Sequence, residues 1–276
     1  IGEAWSQGLA FLNANFQTIL ILTGGSVLIS AILQYGVLGF DEAAFQQQMQ
    51  AAMRNGSLPA FFSSAGPAVA ISGIVGGLLQ STAQFATFRV GLDNGQESVG
   101  SALGYGVIAS IAYLLFSILI GIVLGIIVII PFMLVGAGAF AAGSTPGAGA
   151  VGLIFLFVLA LIPLALWLAA RLSVVVPAMA EVRSFNPLYG FAQSWRLTRG
   201  NALPIIGFLI VLGIAIIVIS LLLGGIFGFI GAAIGGVAGP MLAAVLVGIP
   251  TAVLGIGITA GIYRALVPFD AGSVFA

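Results

Sequence analysis

The chain has 276 residues, 61% of them hydrophobic and only 5% charged, with seven basic and seven acidic residues and no net charge. An ordinary soluble domain carries about 25% charged residues, so this chain cannot cover a water-facing surface, and its charge balance offers nucleic acid no basic patch. It has no Cys or His, and all seven basic residues are Arg, which excludes disulfides, thiolate and iron–sulfur chemistry, the usual haem and zinc ligands, and a retinal Schiff base.

Apolar runs such as Ser110 to Val135 exceed the roughly 20 residues that a membrane-crossing helix needs. They are continuous, without the alternation of a membrane barrel. The expectation is an all-α polytopic membrane helix bundle, a single integral domain over 1–276 with about six transmembrane helices plus amphipathic surface helices. The first long apolar stretch lacks a basic leader and a small-residue cleavage site, so no signal peptide is expected.

In chain order, residues 1–15 space Trp5, Leu9 and Leu12 along one face, which predicts an interfacial helix on the membrane surface. Asn15 is placed to cap a first span from Phe16 to Leu38. A polar amphipathic stretch from Asp41 to Ser57 leads to a second span, Pro67 to Phe88, which ends at Arg89. After a turn from Gly91 to Glu97, a third span is entered at Val99 and runs to Pro131. A small-residue linker, Gly136 to Ala150, precedes a fourth span from Val151 to Val176, whose helix extends toward Arg183 with a kink at Pro163 or Pro177. A surface segment from Asn186 to Gly200 follows, then span five from Asn201 to Ile230 and span six from Pro240 to Tyr263.

One plan recurs across 1–90, 98–184 and 186–265: surface helix, span, span, arginine. IGEAW at the start aligns with VGSAL from Val99, and the closing ATFR, AEVR and GIYR align at Arg89, Arg183 and Arg264. This suggests three repeated hairpin units; arginine placement at helix ends alone also accounts for the closing matches. With six spans, Arg89, Arg183, Arg196, Arg199 and Arg264 fall on one side and Arg54 on the other. The positive-inside rule then puts both termini on the cytoplasmic side of the membrane.

Arg171 is the charge that most needs explaining. It lies twelve residues before Arg183, about 18 Å along a continuous helix, where an unshielded charge costs at least about 2.5–3.5 kcal/mol. Gln80 and Gln84 share a face of span two at similar depth. One reading is an anion or lipid-phosphate site of Arg171, Gln80 and Gln84 between spans two and four; the other is a structural arginine that binds backbone carbonyls or snorkels. Glu181 is placed to pair with Arg183, Arg196 or Arg199. Arg183, Trp195, Arg196 and Arg199 form a basic, aromatic-flanked segment suited to lipid headgroups.

Four GxxxG patterns, Gly73–Gly77, Gly121–Gly125, Gly224–Gly228 and Gly257–Gly261, permit close packing inside the bundle or against a partner or second copy. The acids Glu3, Asp41, Glu42, Asp93, Glu97, Glu181 and Asp270 form no catalytic or metal-binding constellation. No enzyme activity, cofactor or metal is expected.

The run from Arg171 to Asn201, with Pro177, Glu181 and SWRLTRGN from Ser194, together with the opening IGEAWSQGLAFLNANF, resembles the membrane-domain family found with some bacterial glycerophosphoryl diester phosphodiesterases and the related YciC-type inner-membrane proteins. The resemblance implies a six-helix membrane module. It does not imply phosphodiesterase activity, which in fused members belongs to a separate soluble domain whose metal-binding His and Glu residues have no counterpart here. Two functions are therefore expected as alternatives: a non-catalytic module that binds or moves a phospholipid or other amphiphile, or an accessory subunit of a larger membrane complex.

Overall fold

The structure is a computed structural model and describes residues 2–55, 57–93, 96–141 and 148–267. Every regular element among them is helical. Six stretches are long and apolar enough to cross a membrane: Gly2–Val37, Val69–Leu92, Val99–Ile130, Phe155–Glu181, Ala202–Ile234 and Ala238–Leu266. The chain is a multi-pass helical membrane protein.

The N-terminal stretch differs from expectation. Helix α1 (Gly2–Ile19) passes into a π-helical segment (Leu20–Gly24), α2 (Gly25–Ala31) and a second π-helical segment (Ile32–Val37) without a turn. Residues 2–19 therefore extend the first span and do not lie apart on the surface. Asn15 caps nothing: its side-chain amide donates to the Phe11 carbonyl one turn back at 3.0 Å. The reason is packing. A side chain at Gly8 would stand 2.5 Å from the carbonyl oxygen of Gly257, and one at Gly261 only 2.0 Å from that of Ala4. Backbones approach this closely only where small residues, glycine above all, face each other. Glycines 8, 257 and 261 thus bind α1 along α10 (Ala238–Leu266), with the Leu12 side chain seated over Gly257.

The polar stretch after the first span forms α3 (Glu42–Asn55), whose first turn is held by Asp41 accepting from the Ala44 amide at 2.9 Å. Helix α4 (Leu58–Leu92) begins before the predicted second span. Helix α5 (Val99–Ala141) continues through the first part of the predicted linker; residues 142–147 of that linker lie outside the described residues.

The fourth span breaks. Helix α6 (Ala148–Leu172) ends, residues 173–174 turn, and α7 (Val175–Glu181) starts as a separate helix. Pro163 is absorbed inside α6. Pro177 causes the break, because it has no N–H for the i−4 bond and its ring would strike the carbonyl of Ser173. Helix α8 (Pro187–Leu197) is capped by Asn186, which accepts from the Leu188 amide at 3.0 Å, with Pro187 opening its first turn. Helices α9 (Ala202–Ile234) and α10 complete the bundle.

The three segment ends that the repeat plan aligns meet at one end of the bundle, around Arg89, Glu181 and Tyr263. Only the third unit opens on a separate surface helix, α8; the second enters α5 directly at Val99. The packed core sits at this end too, around Phe11, Phe85, Phe88, Tyr105, Met179 and Ile256.

Candidate functional site

Gln80, Gln84 and Phe88 recur every four residues on one face of α4, and Thr251, Gly255 and Thr259 do the same on α10. Residues four apart stack on one helix face, so each helix presents a continuous stripe. With Val27 of α2, the two stripes enclose a cavity of about 470 Å³. Gln80 falls at the middle of the stretch Val69–Leu92, and Ala252 at the middle of Ala238–Leu266. The cavity therefore lies within the membrane-crossing stretches of both helices.

Its polar groups are only partly satisfied. Thr251 donates to the carbonyl of Val247 at 2.9 Å, with Gly248 at 3.0 Å as a second acceptor. The carboxamides of Gln80 and Gln84 and the hydroxyl of Thr259 have no hydrogen-bond partner within the described protein. An amide transferred to an apolar medium without a partner costs about 2–7 kcal/mol. At this depth the groups require water or a polar ligand. Nearby, Thr87 of α4 and Thr23 of the first π-helical segment carry buried hydroxyls without partners.

Arg171 is not part of this cavity, so the expected site joining it to Gln80 and Gln84 does not form. The break after α6 is the physical reason. It ends the continuous helix from which mid-membrane depth was inferred, and it brings α8 against Arg171. The guanidinium lies 5.5 Å from the Trp167 ring centre and 5.2 Å from that of Trp195, and donates to the Trp195 carbonyl at 3.4 Å. The two indoles meet edge to face, with centres 5.0 Å apart. Ser194, fully buried, donates to the Arg171 carbonyl at 2.7 Å and accepts from the Val174 amide at 3.4 Å. Its hydroxyl thus satisfies backbone groups freed by the helix break. Gly190 lets α8 lie on α7, since a side chain there would strike Met179 and Val175. The sequence reading missed Ser194, although it sits in the SWRLTRGN run; a small hydroxyl residue facing a proline-broken helix was the available signal.

Glu181 also departs from expectation. It pairs with no arginine among the described residues; its carboxylate accepts from the Tyr263 hydroxyl. Arg89 instead reaches the carbonyls of Glu181 at 2.9 Å and Ala180 at 3.2 Å. Arg89 and Arg183 converge on Glu97, which binds Arg89, lies 3.4 Å from Arg183 and accepts from Ser101 at 2.7 Å; Arg89 also lies 3.8 Å from the Asp93 carboxylate. Burial raises the Glu97 pKa, but hydrogen bonds from Ser101 and Arg89 and the charges of Arg89 and Arg183 outweigh it and hold the carboxyl below its ordinary value. Arg183 is tied to Glu97 and Ser101, unlike Arg196 and Arg199, which are exposed and make no ion pair among the described residues. Arg264 lies over the Phe11 ring at 4.9 Å.

A larger opening of about 1060 Å³ lies toward the other end, between the second π-helical segment, α9 and α10. It is lined mostly by glycine and alanine, and its one acid, Asp41, is already used as the cap of α3. Asp270 lies outside the described residues, and no group of three metal-ligating side chains occurs among the described ones.

Together the fold and the mid-span cavity define a polytopic α-helical membrane protein with an uncharged polar pocket between its spans. No family model, no curated protein and no solved structure matches the chain.

Proposed function

We propose that the protein is a non-catalytic membrane module that binds a lipid-like amphiphile, with an uncharged polar part of the ligand held at Gln80, Gln84 and Thr259. The single observation that carries this reading is the pair of unpartnered carboxamides facing a cavity at mid-span. A pocket of this size falls in the range that holds small-molecule ligands. Amide and hydroxyl groups recognise hydroxyl, ester or amide functions; with no cation in the lining, the cavity favours these over a phosphate. The resemblance of residues 171–201 to a membrane module without a phosphodiesterase domain agrees with this reading. So does the lack of Cys, His and Lys in the sequence. The positive-inside rule supports a cytoplasmic position for the arginine-rich end, with Arg89, Arg183, Arg196, Arg199 and Arg264, and the resemblance supports a bacterial inner membrane.

The test is detergent-free extraction followed by mass spectrometry of retained lipids, comparing the native chain with Gln80→Leu/Gln84→Leu. The native chain retains a defined amphiphile that the double variant loses. Equal retention by both removes the cavity from the reading.

A second reading, an accessory subunit, is favoured by one face of α5. Gly121 and Gly125 open onto empty space, beside exposed Ile118 and Ile122. Such a surface suits a partner helix. A Gly121→Leu/Gly125→Leu variant that changes the size of the complex on native gels supports it; an unchanged, monomeric size opposes it.

A further inference from the structure

The outward face of α8 is not covered by the rest of the bundle. Leu188, Ala192 and Trp195 follow one another at helical spacing and are exposed, while Gly190 and Ser194 on the opposite face are buried against α6 and α7. Arg196 follows Trp195 directly, and Arg199 lies about one turn beyond it. Three arginines are therefore grouped at Trp195: Arg196 beside it in sequence, Arg199 one turn on, and Arg171, whose guanidinium lies against both indoles. None makes an ion pair among the described residues. At the same end of the bundle, Arg89 and Arg183 are both paired with Glu97, and the half-buried Arg264 lies over Phe11, so the exposed arginines there without an acidic partner are those beside Trp195.

This combination selects its occupant. An apolar stripe facing water is unfavourable, and a stripe buried in hydrocarbon would strand the arginines. A helix with an apolar outer stripe and flanking arginines fits the interface, where the stripe enters the acyl boundary and the cations meet phosphates. Indoles favour the same depth. Arg171 adds a fixed element: Ser194 holds its backbone, and Trp167 and Trp195 hold its side chain. Its Nε–H is buried, and one terminal N–H group is engaged with the Trp195 carbonyl, which leaves its remaining terminal N–H groups to meet a phosphate oxygen. We infer that α8 carries an anionic-phospholipid headgroup site formed by Arg171, Trp195, Arg196 and Arg199, distinct from the uncharged mid-span cavity.

The chain has three tryptophans, Trp5, Trp167 and Trp195, so Trp5→Phe leaves emission only from this site. The Trp5→Phe protein is reconstituted into phosphatidylcholine nanodiscs that contain a minor fraction of brominated lipid, either phosphatidylglycerol or phosphatidylcholine. The expected result is stronger quenching by brominated phosphatidylglycerol. Each arginine contributes about fivefold to lipid enrichment, so Arg196→Gln/Arg199→Gln, both on the exposed surface, strongly reduces the preference. Arg171→Gln removes the remainder while Trp167 and Trp195 still report. Equal quenching by the two brominated lipids overturns the site. A preference unchanged in Arg196→Gln/Arg199→Gln does the same. Loss of the preference on adding inorganic phosphate at constant ionic strength overturns the lipid assignment in favour of a free-phosphate site.

Discussion

Ser194 and Arg171 hold each other's segments in place: the serine hydroxyl donates to the Arg171 carbonyl at 2.7 Å, and the Arg171 guanidinium donates to the carbonyl of Trp195, the residue after Ser194, at 3.4 Å. The exchange fastens a surface helix to the point where a membrane span is broken. Ser194→Ala leaves buried backbone groups of residues 171 and 174 without their side-chain partner. Each such group costs about 1–3 kcal/mol. The variant is expected to unfold at lower temperature in detergent and to lose the mutual orientation of Trp167 and Trp195, read by near-ultraviolet circular dichroism.

Glu97 gathers the charges at the arginine-rich end. Its side chain is 8% exposed and that of Arg89 15%, so Glu97→Gln leaves the largely buried Arg89 with only the more distant Asp93 carboxylate, at 3.8 Å. Losing these charge-assisted hydrogen bonds costs about 1.5–3 kcal/mol. The pH dependence has a defined sign. The Glu97 pKa lies below its ordinary value of 4.5 in the folded protein, so its contribution is present above the unfolded value and is lost as pH falls through the folded one. Thermal unfolding in detergent should show this acid-side loss in the native chain, and Glu97→Gln should lack that component.

Arg183 occupies the left-handed region, with φ +54. Around it the Ser184 amide reaches the Met179 carbonyl at 2.9 Å and the Arg183 amide that of Ala180 at 3.3 Å. This is a helix stop in which glycine usually takes the Arg183 position. The left-handed conformation costs a residue with a Cβ about 1–2 kcal/mol, and here it aims the guanidinium at Glu97 and Ser101. Arg183→Gly and Arg183→Ala both lose that ion pair. The glycine variant is expected to be more stable than the alanine variant by about 1 kcal/mol, measured by denaturant titration in micelles.

Glycines with identical sequence patterns should differ sharply. Gly261→Ala drives a methyl group into the Ala4 backbone, where the available distance is 2.0 Å. Overpacking of this kind costs about 1–3 kcal/mol or more. Gly121→Ala meets nothing within 4 Å and should leave the protein as stable or more stable by about 0.5–1 kcal/mol, because Ala suits a helix interior better than Gly. Thermal unfolding of the two variants side by side checks the contrast.

That contrast also marks how far the sequence can be read. Composition and continuous apolar runs determine helix, membrane and span number, because lipid admits few alternatives. Gln80 and Gln84 are recognisable as a polar stripe from their spacing. Their true companions, Thr251 and Thr259, are not, because helix spacing does not say which spans are neighbours. Arg171 falls into the wrong company when its depth is counted along an unbroken helix, and the clash of Pro177 with the Ser173 carbonyl ends that helix. The close approach of α1 to α10 is equally hidden. The Gly257–Gly261 pattern resembles Gly121–Gly125 on paper, and only Ala4 and Gly8 opposite it distinguish the two.

The central claim is that the mid-span cavity holds the polar part of an amphiphile. Because the chain has no cysteine, Thr251→Cys places a single thiol in the cavity wall. The decisive measurement is the labelling rate of that thiol with a small hydrophilic methanethiosulfonate, before and after delipidation, with Ile122→Cys on the exposed side of α5 as control. The account predicts that the cavity thiol is protected in the lipid-retaining protein and becomes reactive once the amphiphile is removed, while the control thiol on α5 stays unreactive throughout. A cavity-thiol rate that delipidation does not change, or one no greater than that of the control after delipidation, contradicts it.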